Sequence, residues 1–333
     1  MKKRLLLIMI FFVSLFGLLY FGPEDNQPLA SGSIDYAQRT IEHRHFSDYL
    51  TKRFWKLTDI ELEASSVILI DATTGHVIYQ DNSELSLPTA SMAKMMSELV
   101  VLEAIEAGKL DWDSPVSISD YAYYISHHPG YASVDLKQDI TYTVKELFDA
   151  MAIHSANDAT IALAEAVSGS EARFVQQMNH RAEDLGLNAS KFVNSTGLDN
   201  EHLGQFFSVG TIDDTNHMSA QDLALLARHL ITHHPIILEI SSQPNYLANE
   251  KEYLNTNLML SDFIPYQGVD GLKTGYTDLA GYGFTGTVEQ NGVRFISVVM
   301  GTESIMQRFI ETERLYQHAY EQLDNLFHTS HQQ

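Results

Sequence analysis

The chain has 333 residues, no cysteine, and 21 lysines and arginines against 43 aspartates and glutamates, a formal net charge of −22. Without cysteine there is no disulfide framework and no thiolate metal site, and so acidic a chain is a poor match for nucleic acid. Fifteen histidines are present, but the pairs His43/His45, His127/His128 and His233/His234 lack the frame of a ligand set, so neither metal nor cofactor is expected.

At the N-terminus, Lys2-Lys3-Arg4 precedes eighteen uncharged residues, Leu5 to Gly22. That run is at the short end for a membrane span and long for a signal-peptide core. A cleavable signal needs small residues at the cut and two positions before it. Tyr20 and Pro28, which stand two before Gly22 and Ala30, do not fit. Residues 1–22 are therefore expected to be an uncleaved membrane anchor with its basic end in the cytoplasm; cleavage would make the protein secreted. Residues 23–58 read as a spacer and a polar helix at about 34–57, whose Phe46, Tyr49, Phe54 and Trp55 pack on the next domain or lie at the membrane surface. A domain at 59–328 follows, large for one core but ordinary for a sheet with a helical subdomain, and then a polar tail at 329–333.

Within that domain three motifs occur once each and in one order. The first is Ser91-Met92-Ala93-Lys94, at the start of a stretch to Ala107 that is rich in helix formers and preceded by Pro88 and Thr89. Residues three apart share a helix face, so the Lys94 amine can approach the Ser91 hydroxyl. Serine is a poor nucleophile without a base. Lysine is a base only where burial or a nearby positive charge lowers its pKa, and Lys273 would supply that charge. A serine at a helix start also leaves its own N–H free to point at a developing oxyanion.

The second motif, Ser155-Ala156-Asn157, lies between the helical stretches Val144 to Ile153 and Ala159 to Val167, on a connection from which side chains can converge on a cleft. The third, Lys273-Thr274-Gly275, belongs to a stretch that alternates like two antiparallel strands joined at Asn291-Gly292, a type I′ hairpin signal. A strand edge with Lys, Thr and a side-chain-free Gly would let a peptide-like substrate pair alongside. Taken singly, each motif has an ordinary reading: an N-cap serine beside a solvated lysine, a helix cap, and an edge lysine that blocks aggregation. The ordered trio points instead to an active-site serine enzyme with an acyl intermediate.

At these residues the chain resembles the low-molecular-mass penicillin-binding proteins, the serine D-alanyl-D-alanine carboxypeptidases. The resemblance extends to Asp71-Ala72-Thr73-Thr74-Gly75, Asn194-Ser195-Thr196-Gly197-Leu198, Asn255-Thr256-Asn257 and Gly268 through Thr277, and runs from about Glu63 to about Leu323. Two departures are Ala156, where the family commonly has glycine, and the segment 199–217, which is longer than the usual connection and puts nearby substrate contacts in question.

The resemblance implies an α/β fold: an antiparallel sheet from an early hairpin (about 65–81) and late strands (about 281–301), flanked by helices that include one at about 304–326. A mostly helical insertion (about 100–240) would carry Ser155 and Asn157. It implies that Ser91 attacks the penultimate D-alanine, Lys94 takes its proton, and Ser155 and Asn157 relay protons and hold the substrate amide. Lys273 would keep the site positive, while Thr274, Gly275, Tyr276, Thr277 and Arg308 bind substrate. Thr274 and Arg308 would receive the terminal carboxylate, for which a guanidinium fork is suited. The oxyanion hole would be the backbone N–H groups of Ser91 and Tyr276. Peptidoglycan stem peptides are the implied partners and β-lactams the implied covalent inhibitors. The β-rich domain and C-terminal membrane helix common in the family are expected to be absent, with the N-terminal anchor serving instead. Cross-link endopeptidase activity is the nearest alternative. A β-lactamase would need a water-activating glutamate, and Asp184-Leu185-Gly186-Leu187-Asn188 offers only the shorter aspartate. A non-enzymatic wall-binding or penicillin-sensing module would not need to retain Ser91 and Lys94.

Overall fold

The computed structural model describes residues 56–57, 60–248 and 250–330, with side chains to residue 325. The anchor at 1–22 and nearly all of the spacer and polar helix at 23–58 lie outside the described residues. No helix among those described is long and apolar enough to cross a membrane.

The chain enters a sheet through β1 (Ser66–Asp71) and β2 (Val77–Asp81). Their turn is set locally: Asp71 Oδ1 accepts from the Thr74 N–H and hydroxyl at 2.6 and 2.8 Å, and Gly75 takes a positive φ of 77°, the chemistry of an Asx turn. Seven helices follow: α1 (Lys94–Glu106), α2 (Asp120–Ser126), α3 (Val144–His154), α4 (Asn157–Ser168), α5 (Glu171–Asp184), α6 (Ala220–His233) and α7 (Ile236–Ser241). A small hairpin, β3 (Asn245–Ala248) and β4 (Lys251–Leu254), leads back to the sheet strands β5 (Val269–Thr277), β6 (Gly281–Gln290) and β7 (Val293–Thr302), and α8 (Ile305–Ser330) closes the domain.

The five-stranded antiparallel sheet has the order β2-β1-β7-β6-β5. Strand alternation divides its faces. On β7, Phe295 and Ser297 meet Tyr320 and Tyr316 of α8, whereas Ile296, Val298 and Met300 join the larger core formed with the other helices. Both faces are thus covered by helices, and α2 to α7 form the expected helical insertion. Helix α1 runs through the middle of that core, buried from Lys94 to Leu102 on every side, so that Lys94, Ser97 and Glu98 are taken out of water along with its apolar residues.

The sheet stretch from residue 269 to 302 differs from the sequence reading in one respect. It holds three strands, because Thr277 to Gly281 makes a second turn, with Ala280 N–H donating to Thr277 Oγ1 at 3.2 Å and Gly281 at φ 66°. The expected turn at Asn291-Gly292 is also present, with φ of 52° and 78°, the two positive values a type I′ turn needs. Lys273-Thr274-Gly275 lies on β5, the edge strand.

Candidate active site

The α-helix begins at Lys94 rather than Ser91, since residues Ala90–Ala93 form a 3₁₀ turn. Ala90 sits at φ 46°, and the Met92 N–H donates to the Thr89 carbonyl at 3.2 Å. The tight turn still brings the pair together. Lys94 Nζ lies 2.8 Å from Ser91 Oγ, 2.6 Å from Asn157 Oδ1 and 2.7 Å from the Thr196 carbonyl, with the lysine wholly buried.

Ser155 and Asn157 are delivered by the break between α3 and α4. Thr143 and Glu146 form a capping box that fixes the start of α3, and the helix ends on Ser155 in the left-handed region, φ 64°. Non-glycine residues held there carry strain that a surrounding structure must sustain, a recurrent feature of functional sites. Ala156 next to it has an ordinary φ of −59°, so the methyl group that replaces the family's glycine meets no backbone conflict. Asn157 Nδ2 donates to the Ala132 carbonyl at 3.1 Å, which aims its Oδ1 at Lys94. Across the cleft, Lys273 Nζ donates to Ser155 Oγ at 2.7 Å and to the Thr274 carbonyl at 3.3 Å.

The structure therefore brings Ser91, Ser155 and Asn157 to one cleft of about 410 Å³, which Thr274, Gly275, Tyr276, Thr277 and Arg308 also line, with the buried Lys94 bonded to Ser91 and Asn157 and the buried Lys273 to Ser155. Burial, and after it the positive charge of Lys273, holds the Lys94 amine well below the usual lysine range. Lys273 is pushed down to about 8, first by burial and also by Arg308, against the pull of buried Glu98. A neutral amine beside a hydroxyl can take its proton, and a second, cationic lysine on the far wall draws an anion in.

Several of these residues are engaged differently from the expectation. The missing side chain of Gly275 makes room for the protein itself. A Cβ there would stand 2.6 Å from the Thr89 carbonyl oxygen and 3.2 Å from Met92, and one on Gly283, its partner on β6, would stand 2.5 Å from Met92 Cε. The glycine pair is the seat that lets the Ser91 turn press against the sheet. Arg308 is buried. Its Nη1 donates to the carbonyls of Gly275 and Gly283 at 3.1 and 3.2 Å, and its Nε is a buried donor without a partner. Thr277 spends its hydroxyl on the turn at Ala280. Tyr276 turns its ring outward, stacked on Tyr282 at 4.1 Å and donating to Asp278 at 2.6 Å.

The sequence reading did not single out as site residues Thr256, whose hydroxyl accepts from Thr274 Oγ1 at 2.7 Å, or Tyr131, Leu198 and His202, which complete the cleft wall. Thr256 and Leu198 lie inside quoted motifs. His202 comes from the long segment 199–217, and the Tyr131 hydroxyl ties it in place by donating to the His202 carbonyl at 3.1 Å. Asp184, the nearest approach to a water-activating acid, borders a separate polar cavity with Glu103, His180 and Arg181. Asp199, Glu201 and His202 form a loose acidic group at the cleft rim.

A family model described as D-alanyl-D-alanine carboxypeptidase, peptidase family S11, matches residues 54–304. The D-alanyl-D-alanine carboxypeptidase DacF of Bacillus subtilis is 34% identical over 273 residues, 81% of this chain and 65% of that protein, so the chain spans less than two thirds of that relative's length. Among solved structures, the peptidoglycan synthesis regulatory factor PBP3 of Streptococcus pneumoniae is similar with a TM-score of 0.75 and 36% identity over 78% of this chain and 73% of that one. Penicillin-binding protein D2 of Listeria monocytogenes, solved in a cefotaxime-bound form, has a TM-score of 0.69 and 32% identity over 79% of this chain and 100% of that one.

Proposed function

The chain belongs to the D-alanyl-D-alanine carboxypeptidase family, and from that premise we propose that it is a serine-type carboxypeptidase that removes the terminal D-alanine from peptidoglycan stem pentapeptides. Ser91 Oγ attacks the carbonyl of the penultimate D-alanine as its proton passes to Lys94 Nζ. The N–H groups of Ser91 and Tyr276 receive the oxyanion of the tetrahedral intermediate. Its collapse breaks the peptide bond, and the leaving amine takes up a proton relayed by way of Ser155, which Lys273 orients. Asn157 holds Lys94 and the substrate amide. Water then hydrolyses the ester on Ser91 and frees the shortened peptide. Thr274, with Thr256 behind it, and Arg308 at the floor of the cleft favour a terminal carboxylate. A β-lactam carbonyl offers Ser91 the same attack, but its leaving nitrogen stays tethered to the acyl group, so the adduct persists.

The observation that supports this reading most is the 2.8 Å separation of Ser91 Oγ from an amine that burial, and after it Lys273, holds well below the usual lysine range. The test is incubation with a pentapeptide ending in D-Ala-D-Ala, a cross-linked peptide dimer and a penicillin. Release of D-alanine from the pentapeptide and a stable penicillin adduct are expected. Preferential cleavage of the dimer would make the protein an endopeptidase instead, and rapid penicillin turnover a β-lactamase.

We further propose that the catalytic domain lies outside the cytoplasm and that residues 1–22 hold it to the membrane. Membrane fractionation with an intact N-terminus tests this, and a soluble product starting near Ser31 would overturn it.

A further inference from the structure

The Thr196 carbonyl is a third partner of Lys94 and has no part in the chemistry just described. A neutral lysine amine has two N–H bonds and one lone pair. Its partners here are Asn157 Oδ1 at 2.6 Å, the Thr196 carbonyl at 2.7 Å and Ser91 Oγ at 2.8 Å. The carbonyl can only accept, and Asn157 Oδ1 is also an acceptor, because Nδ2 of the same amide donates to the Ala132 carbonyl. These two take the two N–H bonds and leave the lone pair for the Ser91 hydroxyl. With either acceptor displaced, an N–H bond is free to turn toward Ser91 Oγ, an arrangement in which no proton can pass to the amine.

What holds Thr196 in place is a buried acid. Glu171, the first residue of α5, is 4% exposed, and its Oε1 accepts from both the N–H and the hydroxyl of Ser195, at 3.0 and 2.6 Å. The Ser195 carbonyl accepts from Ser97 Oγ of α1 at 2.6 Å, one turn beyond Lys94. Asn194 Oδ1 then takes the N–H groups of Thr196 and Gly197, at 3.1 and 2.8 Å, which leaves the Thr196 carbonyl facing the lysine. Burying a carboxylate is costly unless it is hydrogen-bonded. Glu171 meets that cost with two donors from the one residue that precedes Thr196, and with the favourable dipole of a helix N-terminus.

We propose that Glu171 is a positioning residue for acylation: by gripping Ser195 it keeps the Thr196 carbonyl on Lys94, and so keeps the lone pair of the amine on Ser91. The inference rests on the proposed serine mechanism. When the Ser91 O–H bond breaks and a third N–H bond forms on Lys94, the first two stay on Asn157 and Thr196, so the proton passes without rearrangement of the amine. Glu171 itself exchanges no proton and touches no reacting atom.

The test is stopped-flow acylation by a fluorescent penicillin, resolved into the rate at saturation and the half-saturating concentration, with thermal melts alongside. Glu171→Met fills the space but cannot accept from Ser195. Its saturating rate should fall about ten- to a hundredfold while the half-saturating concentration stays within about twofold. Glu171→Gln keeps an accepting oxygen for Ser195 and should restore a rate close to that of the unmodified protein. Ser195→Ala loses the hydroxyl bond but keeps the N–H bond, and its rate should lie between those of Glu171→Met and the unmodified protein. A structural role alone would lower the melting temperature and leave the saturating rate where it was. A folded Glu171→Met at the unmodified rate would overturn the proposal, as would a loss confined to the half-saturating concentration or a Glu171→Gln as slow as Glu171→Met. Should Glu171→Met not fold, an unmodified saturating rate in Ser195→Ala would do the same. Failure of the serine mechanism reads differently: the unmodified protein would then show no Ser91-dependent labelling.

Discussion

Gly275 and Thr89 meet at a seam that admits no side chain: a Cβ on Gly275 would stand 2.6 Å from the Thr89 carbonyl oxygen. Strand β5 and the Ser91 turn are therefore registered by backbone contact, and the distance from Lys273 to the nucleophile is inherited from that contact. Gly275→Ala should force the two apart. Overpacking of this kind costs about 1–3 kcal/mol of stability, and a displacement of about 1 Å at the reacting atoms lowers the rate on the order of a hundredfold. A thermal melt with penicillin-labelling kinetics checks both, and unchanged labelling would mean that the seam does not set the site.

Lys94 should not tolerate a permanent cation. Lys94→Arg keeps the charge but cannot give up its proton in this range, so acylation should fall by about 10²–10⁴. In the unmodified protein, labelling should rise with pH as Lys94 loses its proton, because the base form is the active one, and fall again around pH 8 as Lys273 loses its own. Stopped-flow labelling across pH measures both limbs. A rate that only declines from acid pH upward would remove Lys94 from the role of base.

The carboxylate end of the substrate gives a directional prediction. Amidating the final D-alanine leaves the polar groups of the cleft unpaired, which should cost about 1.5–3 kcal/mol, roughly ten- to a hundredfold in specificity. Arg308→Ala should shrink the gap between free and amidated peptides, chiefly by weakening the free one. It should also slow both, because Arg308 holds the carbonyls of Gly275 and Gly283. Equal kcat/KM values for the two peptides on the unmodified enzyme would favour an endopeptidase.

Ala156→Gly offers a contrast, since its effect should fall on stability alone. Ala156 is buried with an ordinary negative φ, so glycine there adds unfolded-state entropy and removes a packed methyl. The expected loss is about 1 kcal/mol, with labelling kinetics unchanged. A large change in labelling would mean that the methyl shapes the site.

Much of this arrangement was legible in the order of residues. The Ser91–Lys94 spacing, the break at Ser155 and the Asn291-Gly292 turn act through local geometry, which a sequence pattern carries directly. What was not legible depends on distant pairings. That Gly275 faces Thr89 follows from which side of β5 meets the Ser91 turn. That Arg308 is buried follows from how α8 lies across β6 and β7. Thr256 joins the site through its bond to Thr274.

The most direct measurement of the central claim is peptide mapping by mass spectrometry of the protein after brief exposure to a penicillin, run beside D-alanine release by unmodified protein and Ser91→Ala. One adduct on the peptide that contains Ser91 is predicted, with both the adduct and D-alanine release lost in Ser91→Ala while its melting curve stays close to that of the unmodified protein. An adduct on another residue, or D-alanine release that survives the substitution, would contradict the account.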